Sequence, residues 1–190
     1  IILGFIQYRK EKKILRLLYD YSEQMQEYEL SRVCNEIGYK KTIELRQSDL
    51  IDIPFTTGCF KPIIYFPKFS IDAAGQKLIF KHEAYHCKAY DCLYRKILFW
   101  INVLYWFNPF LRIFTEYFVE INELACDERV LEGLDKKDLY HYAKLLAEME
   151  CQTDFLNNAV FLTGYKKSLL ERRLECMKIR KKGMMDIPVR

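Results

Sequence analysis

The sequence is poor in the residues that mark irregular or repetitive proteins, with only 7 glycines and 5 prolines in 190 residues. Hydrophobic residues make up 51% of the chain and charged residues 29%, which excludes an intrinsically disordered segment and a collagen-like repeat. A chain of this length can bury about 70% of the surface that it would expose when unfolded. We therefore expect one compact domain.

The chain also lacks a strong charge of either sign and any Cys-x-x-Cys pair. Its formal net charge is +4, and its lysines and arginines gather near the two ends, which argues against direct nucleic-acid binding. Seven cysteines are an odd number in a chain that needs no disulfides to fold. We interpret them as thiols of a reducing compartment, and Cys87, Cys92 and Cys126 as small buried hydrophobic residues.

The apolar stretch Ile97–Phe107 is too short to cross a bilayer as a helix, which takes about 20 residues. It fits either a buried core helix or a segment that lies in the membrane interface. Residues 1–6 are apolar and are followed by lysines and arginines, as at the cytoplasmic end of a membrane span. A second basic stretch begins at Lys178, so we expect both ends to be juxtamembrane, within a longer protein and without a secretory signal.

Hydrophobic periodicity predicts a mostly helical chain with two short strands in its first half. The predicted helices cover residues 14–21, 30–37, 70–90, 110–131, 138–151 and 165–182, and the predicted strands cover residues 42–48 and 62–67. Ser70 is the expected cap of the third helix, and Gly75 is a weak point within it. Prolines enclose the second strand, which we therefore place at the edge of the sheet.

Two of the three histidines lie one helical turn apart in the sequence His82-Glu83-Ala84-Tyr85-His86. Residues four apart share a helical face, so the two imidazoles can bind one zinc ion while Glu83 reaches the attacking water. A structural zinc site with cysteine ligands would need four ligands at close paired spacings, which the cysteines do not offer. The motif therefore predicts a catalytic zinc centre.

A catalytic zinc needs a third protein ligand and an open coordination position. Four carboxylates follow on one predicted helical face, namely Glu116, Glu120, Glu123 and Asp127. Such a face is either a solvated surface or a source of the ligand, and the histidine pair favours the second interpretation. Spacing alone does not choose between Glu120 and Glu123. A donor for the developing oxyanion is also expected, with Tyr140, His141 and Tyr142 as candidates.

Three motifs in this order resemble one known family. His82-Glu-Ala-Tyr-His86, Trp106-Phe-Asn-Pro109 and Glu123-Leu-Ala-Cys-Asp-Glu128 are similar to those of the BlaR/MecR-type antirepressor metallopeptidases, membrane-embedded zinc proteases of beta-lactam sensing. Weaker similarity extends the match over most of residues 40–182. Many peptidases share the first motif, whereas the three together are specific.

The resemblance implies a glutamate-type zincin, a mostly helical α+β fold with a small antiparallel sheet before the zinc helix. Glu123 would be the third zinc ligand beside His82 and His86, and Asp127 would orient a ligating histidine. Glu83 would be the general base. Zincins of this kind hold their peptide substrate against an edge strand, which assigns Ile63, Ile64 and Tyr65 to the substrate unless that strand is an ordinary edge protected by prolines.

The resemblance also implies a regulatory zinc endopeptidase, the cytoplasmic loop of a multi-pass membrane signal transducer that cleaves a transcriptional repressor, itself or both. Residues 1–6 would end a membrane span, residues 7–182 would form the peptidase domain, and residues 183–190 would be a juxtamembrane tail. A homodimer is compatible with this assignment. Arg172-Arg173 is either a solvated dibasic pair or lies near a site of self-cleavage.

Two other functions stay open at this point. The first is a zinc-binding signalling scaffold without catalysis, against which the intact Glu83 argues. The second is a membrane zincin similar to the CAAX-processing and heat-stress proteases, against which the stretch Trp106–Pro109 argues.

Overall fold

The computed structural model describes residues 2–25, 28–68, 71–157 and 169–178. They form seven helices and one four-stranded sheet. The helices are α1 (Ile2–Asp20), α2 (Tyr28–Glu36), α3 (Ala73–Ala89), α4 (Asp91–Leu104), α5 (Pro109–Leu131), α6 (Lys136–Asn157) and α7 (residues 169–178). The strands are β1 (Glu23–Met25), β2 (Glu44–Ser48), β3 (Phe55–Thr57) and β4 (Ile63–Pro67). The predicted mostly helical α+β class is confirmed.

The sheet is mixed, with the strand order β1-β2-β4-β3. Strands β2 and β4 run parallel, whereas β1 pairs with β2 and β3 pairs with β4 in antiparallel fashion, so the sheet is mixed where a small antiparallel sheet was expected. The parallel pair arises because β3 comes between β2 and β4 in the sequence but lies outside β4 in the sheet, so that β4 runs in the same direction as β2. Sequence periodicity did not predict β1 and β3, which have three residues each.

The prediction that residues 62–67 form an edge strand was also wrong. Strand β4 pairs with β2 on one side and with β3 on the other, so it has no free edge. Its prolines stand just before the strand and at its last residue, where a missing N–H group leaves the middle of the hydrogen-bond ladder intact. Among the described residues, β3 is the outermost strand on this side of the sheet.

Helix α3 carries the His-Glu-x-x-His motif and lies between two hydrophobic cores. One core packs the sheet and α2 against α3, and the other packs α3 against α5, α6 and α7. Gly75 is buried, and a Cβ at this position would come within 2.7 Å of the Leu145 side chain. The absence of a side chain therefore lets α6 approach α3 closely, although glycine is a weak helix former. The cap of α3 is Asp72, while Ser70 lies outside the described residues.

A single residue separates α3 from α4. Tyr90 adopts the left-handed conformation with φ 57° and ψ 32°, which is unusual for a residue with a side chain. Its amide donates to the carbonyl oxygen of Cys87 and ends α3. The chain then turns at once into α4, so that Asp91 comes back toward the end of α3.

The end of the molecule formed by α1, α4 and α5 is apolar and exposed. The exposed large side chains there include Ile2, Leu3, Phe5, Leu104, Trp106, Phe107, Phe110 and Phe114, and we call this surface the apolar end. Only Leu98 is buried among the hydrophobic residues of α4, so the interpretation of Ile97–Phe107 as a buried core helix was wrong. The membrane-interface interpretation stays a prediction. No helix in the described ranges is long and apolar enough to cross a bilayer.

Helix α1 joins the apolar end to the rest of the domain without a break at residue 6. Its Gly4 lies against Val103 of α4, where a Cβ would come within 2.5 Å of the valine methyl groups. Phe5 and Tyr8 pack on the Trp100 ring, with centroids 4.9 and 5.4 Å away. The basic residues of the sequence after Ile6 follow on the same helix.

Candidate metal centre

Three side chains from α3 and α5 converge on one point. The Nε2 atoms of His82 and His86 are 3.0 Å apart, and the Glu123 Oε2 atom lies 3.4 Å from the first and 3.6 Å from the second. His82 and His86 meet because they are one helical turn apart on α3. Glu123 reaches them because α5 packs on α3.

The far side of each histidine ring faces hydrogen-bond acceptors. The Nδ1 atom of His86 lies 2.5 Å from the Asp91 carboxylate, and the Nδ1 atom of His82 lies 2.8 Å from the Tyr142 hydroxyl and 3.3 Å from Asp127 Oδ1. The Tyr142 hydroxyl donates its own hydrogen to Asp127 Oδ1, so it can only accept from the Nδ1 atom of His82. The Asp91 carboxylate likewise accepts from the Nδ1 atom of His86. Each neutral imidazole then carries its lone pair on Nε2, toward the partner ring and Glu123.

Three lone-pair atoms that face one another within 3.6 Å need a cation between them or a proton on one of them. A tetrahedral zinc ion with bonds of about 2.0 to 2.1 Å separates its ligand atoms by roughly 3.3 Å. The three observed separations lie close to that value. The donor set of two imidazoles and a carboxylate also suits zinc, so the residues present fit this ion.

Charges around the centre hold its carboxylates ionised. Burial alone would raise the pKa of Glu123, but a proton on the Nε2 atom of His82 or His86, which the chain needs when no cation is bound, holds that pKa far below its usual range. Burial also opposes ionisation of Asp127, yet hydrogen bonds to His82 and Arg173 lower the pKa of Asp127 to about 2. Asp127 is paired with Arg173, so Glu123 is the carboxylate that faces the two Nε2 atoms.

Glu83 is buried and fixed by the edge strand. Its Oε2 atom accepts a hydrogen bond of 2.7 Å from the Thr56 hydroxyl, and Thr56 is the central residue of β3. Glu83 and Thr56 line the same cleft as the two histidines and Glu123. Glu83, the predicted general base, therefore lines the cleft of the metal centre. The Thr56 hydroxyl holds one of the two carboxylate oxygens of Glu83.

The four carboxylates of α5 have four different environments. Glu123 joins the histidines, and Asp127 lies behind His82. Glu120 is buried against Arg172, with 2.5 Å between its Oε1 atom and Nη1, and does not join the histidines. Glu116 is exposed. The geometry thus brings Glu123 and not Glu120 to the histidine pair, which the spacing had left open.

Of the three candidate oxyanion donors, only Tyr142 lines the cleft that contains the metal centre. Tyr140 is exposed, and His141 pairs with Asp72 at the start of α3. Tyr142 is fully buried, and its hydroxyl contacts the back of the His82 ring. The helical register of α6 turns only Tyr142 inward, where its hydroxyl lies beside the Nδ1 atom of His82. The oxyanion donor stays a prediction.

One residue of the dibasic pair of α7 is part of the site. Arg173 is nearly buried and holds Asp127 with two hydrogen bonds, from Nε at 2.6 Å and from Nη2 at 2.7 Å. Its Nη1 atom lies 3.7 Å from the Glu123 Oε2 atom. The solvated-face interpretation was therefore wrong for Arg173. Its neighbour Arg172 is half exposed and pairs with Glu120.

A cleft of about 510 Å³ opens onto the three converging side chains. Strand β3 lines one wall, and Tyr8, Glu11 and Leu15 of α1 line another. Arg95 of α4 also lines the cleft and donates to the Glu123 Oε1 atom at 2.8 Å. The centre is thus reached from solvent between the sheet edge and α1.

Comparison with known proteins assigns the family. The sequence model described as BlaR1 peptidase M56 matches residues 1–177. The chain belongs to the BlaR1 peptidase M56 family. Among curated relatives it is 32% identical over 147 residues to the regulatory protein BlaR1 of Bacillus licheniformis, which covers 73% of this chain and 24% of that protein.

Two further M56 relatives come from Staphylococcus aureus. The regulatory protein BlaR1 is 29% identical over 182 residues, 92% of this chain and 31% of that protein. The methicillin resistance mecR1 protein is 28% identical over 140 residues, 70% of this chain and 24% of that protein. The chain thus spans about a quarter to a third of the length of these curated relatives. The predicted family resemblance is confirmed.

Sequence reasoning missed three residues of this M56 site. Asp91 lies one residue after the left-handed Tyr90, and no helical periodicity marks it. Thr56 lies in a strand of three residues, and Arg173 looked like part of a solvated basic face. Cys87 and Cys126 are buried, as predicted, whereas the prediction was wrong for Cys92, which is only partly buried.

Proposed function

We propose that this chain is a zinc endopeptidase domain that acts in signalling and cleaves a transcriptional repressor, its own loop or both. The observation that carries the proposal is the triangle of His82, His86 and Glu123, with Glu83 on the same cleft. Membership of a peptidase family supports hydrolysis, and relatives named as regulatory and resistance proteins support a signalling role.

The three converging side chains would hold zinc and leave one position toward the cleft. When bound, zinc supplies Lewis acidity, which lowers the pKa of water and polarises the scissile carbonyl. Asp91 and Asp127 keep the two imidazoles oriented by accepting from their Nδ1 groups. The chain therefore contributes both the ligands and the groups that fix them.

Glu83 would move the proton. One carboxylate oxygen is held by the Thr56 hydroxyl, which leaves the other to accept a proton from the attacking water. The same oxygen then returns that proton to the leaving amine. Because Thr56 belongs to β3, the position of the base is tied to the strand that borders the cleft.

The substrate would pair with the free edge of β3. Strand β4, with Ile63, Ile64 and Tyr65, is enclosed by β2 and β3 and has no edge to offer. Strand β3 occupies the edge position and lines the cleft. An extended peptide added there would lie directly beside Glu83, as strand addition requires.

We further propose that the domain works at the cytoplasmic face of a membrane. The apolar end exposes several aromatic side chains that prefer the bilayer interface. The cluster of Arg9, Lys10, Lys12, Lys13 and Arg16 follows on α1 and could contact anionic headgroups. In this proposal residues 1–6 end a membrane span, residues 7–182 form the peptidase domain, and residues 183–190 form a juxtamembrane tail.

The test uses a Glu83→Gln copy of the chain as substrate and the wild-type chain as enzyme. We expect cleavage fragments by mass spectrometry, and we expect a zinc chelator to abolish them. As the enzyme, Glu83→Gln should be slower by about 10² to 10⁴-fold, because general-base catalysis is lost while the Thr56 hydrogen bond is retained.

Glu116→Gln is the matched control, since Glu116 is an exposed carboxylate of α5, and we expect it to cleave at the wild-type rate. Zinc bound at one ion per chain without cleavage would refute the peptidase and leave a signalling scaffold. Cleavage that survives the chelator would refute the metal mechanism.

A further inference from the structure

Two cysteines at the rim of the cleft lie in contact. The sulphur atoms of Cys59 and Cys92 are 3.7 Å apart, although the two residues are 33 positions apart in the sequence. Both are only partly buried, so a small oxidant can reach them. Cys92 also lines the cleft that contains the metal centre.

The backbone holds the two thiols in place. Gly58 has φ +85°, and a Cβ at this position would lie 2.2 Å from the Lys61 carbonyl oxygen, so only glycine allows this turn after β3. The Gly58 amide donates to the Cys92 sulphur. Cys92 itself is in the first turn of α4, where the helix dipole favours a thiolate.

The surroundings decide the protonation state of Cys92. Burial and the nearby Cys59 thiol raise the pKa of Cys92, while Lys96 and the Gly58 amide oppose that increase. The thiolate is therefore scarce at neutral pH. The pair rests as two thiols and reacts faster in mildly alkaline solution.

We propose that Cys59 and Cys92 are a redox modification site that forms a reversible disulfide across the rim of the cleft. Hydrogen peroxide is the oxidant. One thiolate attacks the peroxide oxygen to give a sulfenic acid and water, and the second thiol attacks that sulphur to form the S–S bond and release another water. The two thiols lose two electrons, which the peroxide accepts, and an added dithiol reverses the reaction.

The disulfide would connect the two segments that support the metal centre. Cys59 follows β3, whose Thr56 holds Glu83, and Cys92 follows Asp91, which holds His86. An S–S bond of about 2.05 Å would draw the two sulphur atoms together by roughly 1.6 Å. We infer that oxidation fixes the β3 edge against α4 and slows substrate entry, a consequence that rests on the proposed peptidase function.

The cross-link can be mapped without any peptidase assay. The reduced chain is treated with hydrogen peroxide at pH 8.5, alkylated and digested with trypsin. Residues 47–68 and 89–95 form tryptic peptides with one cysteine each, because Lys61 precedes a proline and resists cleavage. We expect these two peptides to be joined, with a loss of two hydrogens that dithiothreitol reverses.

Two variants make the result specific. Cys59→Ser should lose the joined peptides, whereas Cys176→Ser, which removes an exposed thiol of α7, should keep them. Oxidation should raise the thermal unfolding midpoint of the wild type by about 5 °C or more, since it closes a long loop, and should not raise that of Cys59→Ser. Oxidation of Cys59 or Cys92 to a sulfinic acid without a cross-link, or a cross-link to another cysteine, would overturn the proposal.

A cleavage assay separates this proposal from the proposed function. Oxidised wild type should cleave the Glu83→Gln copy several-fold more slowly than reduced wild type, while oxidised Cys59→Ser should keep its rate. An unchanged rate in the cross-linked protein would refute the control of substrate entry. A chain that cleaves nothing even when reduced would refute the peptidase, and the peptide map would still decide whether the disulfide forms.

Discussion

The two histidines of the motif are supported in different ways. The Nδ1 atom of His86 faces Asp91, a residue only five positions later on the next helix. The Nδ1 atom of His82 faces Asp127 of α5 and Tyr142 of α6, and Asp127 is in turn held by Arg173 of α7. One support is local in the sequence, and the other joins three distant helices.

The orientation of His86 thus depends on local structure, whereas the orientation of His82 depends on tertiary packing. The support of His86 needs only the left-handed turn at Tyr90, which returns Asp91 to the end of α3. The support of His82 exists only when α5, α6 and α7 are packed in the second core. We therefore expect changes behind His82 to affect folding and metal binding together, and changes behind His86 to affect mainly metal binding.

The largest expected effect comes from Asp127→Ala. This change removes the two hydrogen bonds between the nearly buried Arg173 and Asp127, so that only the 3.7 Å contact with Glu123 remains, and it takes an acceptor from His82. Breaking a buried ion pair from one side typically costs about 3 to 5 kcal/mol in the free energy of unfolding. Urea unfolding measures the loss, and Glu116→Ala on the exposed face of the same helix should stay within about 0.5 kcal/mol of wild type. Equal stability of the two variants would contradict a structural role for the pair.

Asp91→Asn should weaken zinc binding more than folding. The amide is nearly isosteric with the carboxylate, but it lacks the charge that orients His86 and raises its basicity. Loss of such a partner typically lowers metal affinity by about 10 to 100-fold. Competition against a chelator measures the affinity, and urea unfolding should show a smaller loss of stability than for Asp127→Ala. If Asp91→Asn lost more stability than Asp127→Ala, the idea that Asp91 supports His86 only locally would be wrong.

Tyr142→Phe should have a smaller effect. It removes the hydroxyl that donates to Asp127 and contacts His82, while Arg173 continues to hold Asp127. The loss of one such hydrogen bond costs about 1 kcal/mol in the free energy of unfolding. Tyr140→Phe is the matched control, because Tyr140 is exposed two residues earlier on α6. If both variants lose the same amount, the Tyr142 hydroxyl contributes nothing to the support of His82.

Cys126→Ala should have the smallest effect on zinc affinity. The Cys126 sulphur lies 3.4 Å from the Nδ1 atom of His86, where Asp91 is already the closer and charged acceptor. We expect a zinc affinity near that of wild type in the same chelator competition. A loss as large as that of Asp91→Asn would show that the sulphur takes part in orienting His86.

The fold was predictable where the sequence repeats a period over many residues. The helix that contains the motif and the acidic helix after Pro109 were predicted almost to their ends, and the mostly helical α+β class followed from them. Strand β3 was not predictable, because three residues carry no period and its place at the sheet edge depends on the pairing of β4.

The candidate site shows the same limit. His82, Glu83 and His86 could be placed from spacing, since one helix contains all three. The choice of Glu123 needed the family resemblance, because its neighbour Glu120 has an equally suitable spacing. In the structure, the packing of α5 turns Glu123 toward the histidines and Glu120 toward Arg172. Arg173 could not be found from the sequence, because only the tertiary position of α7 turns it from a basic surface residue into the partner of Asp127.

The central claim is that His82, His86 and Glu123 bind one zinc ion. The most direct measurement is a crystal structure of the zinc-loaded chain with anomalous diffraction collected on both sides of the zinc absorption edge. Our account predicts one anomalous peak about 2.0 to 2.1 Å from the Nε2 atoms of both histidines and from a carboxylate oxygen of Glu123. A zinc peak bound by Glu120, or one at Asp91 and Cys126 on the other side of His86, would contradict it.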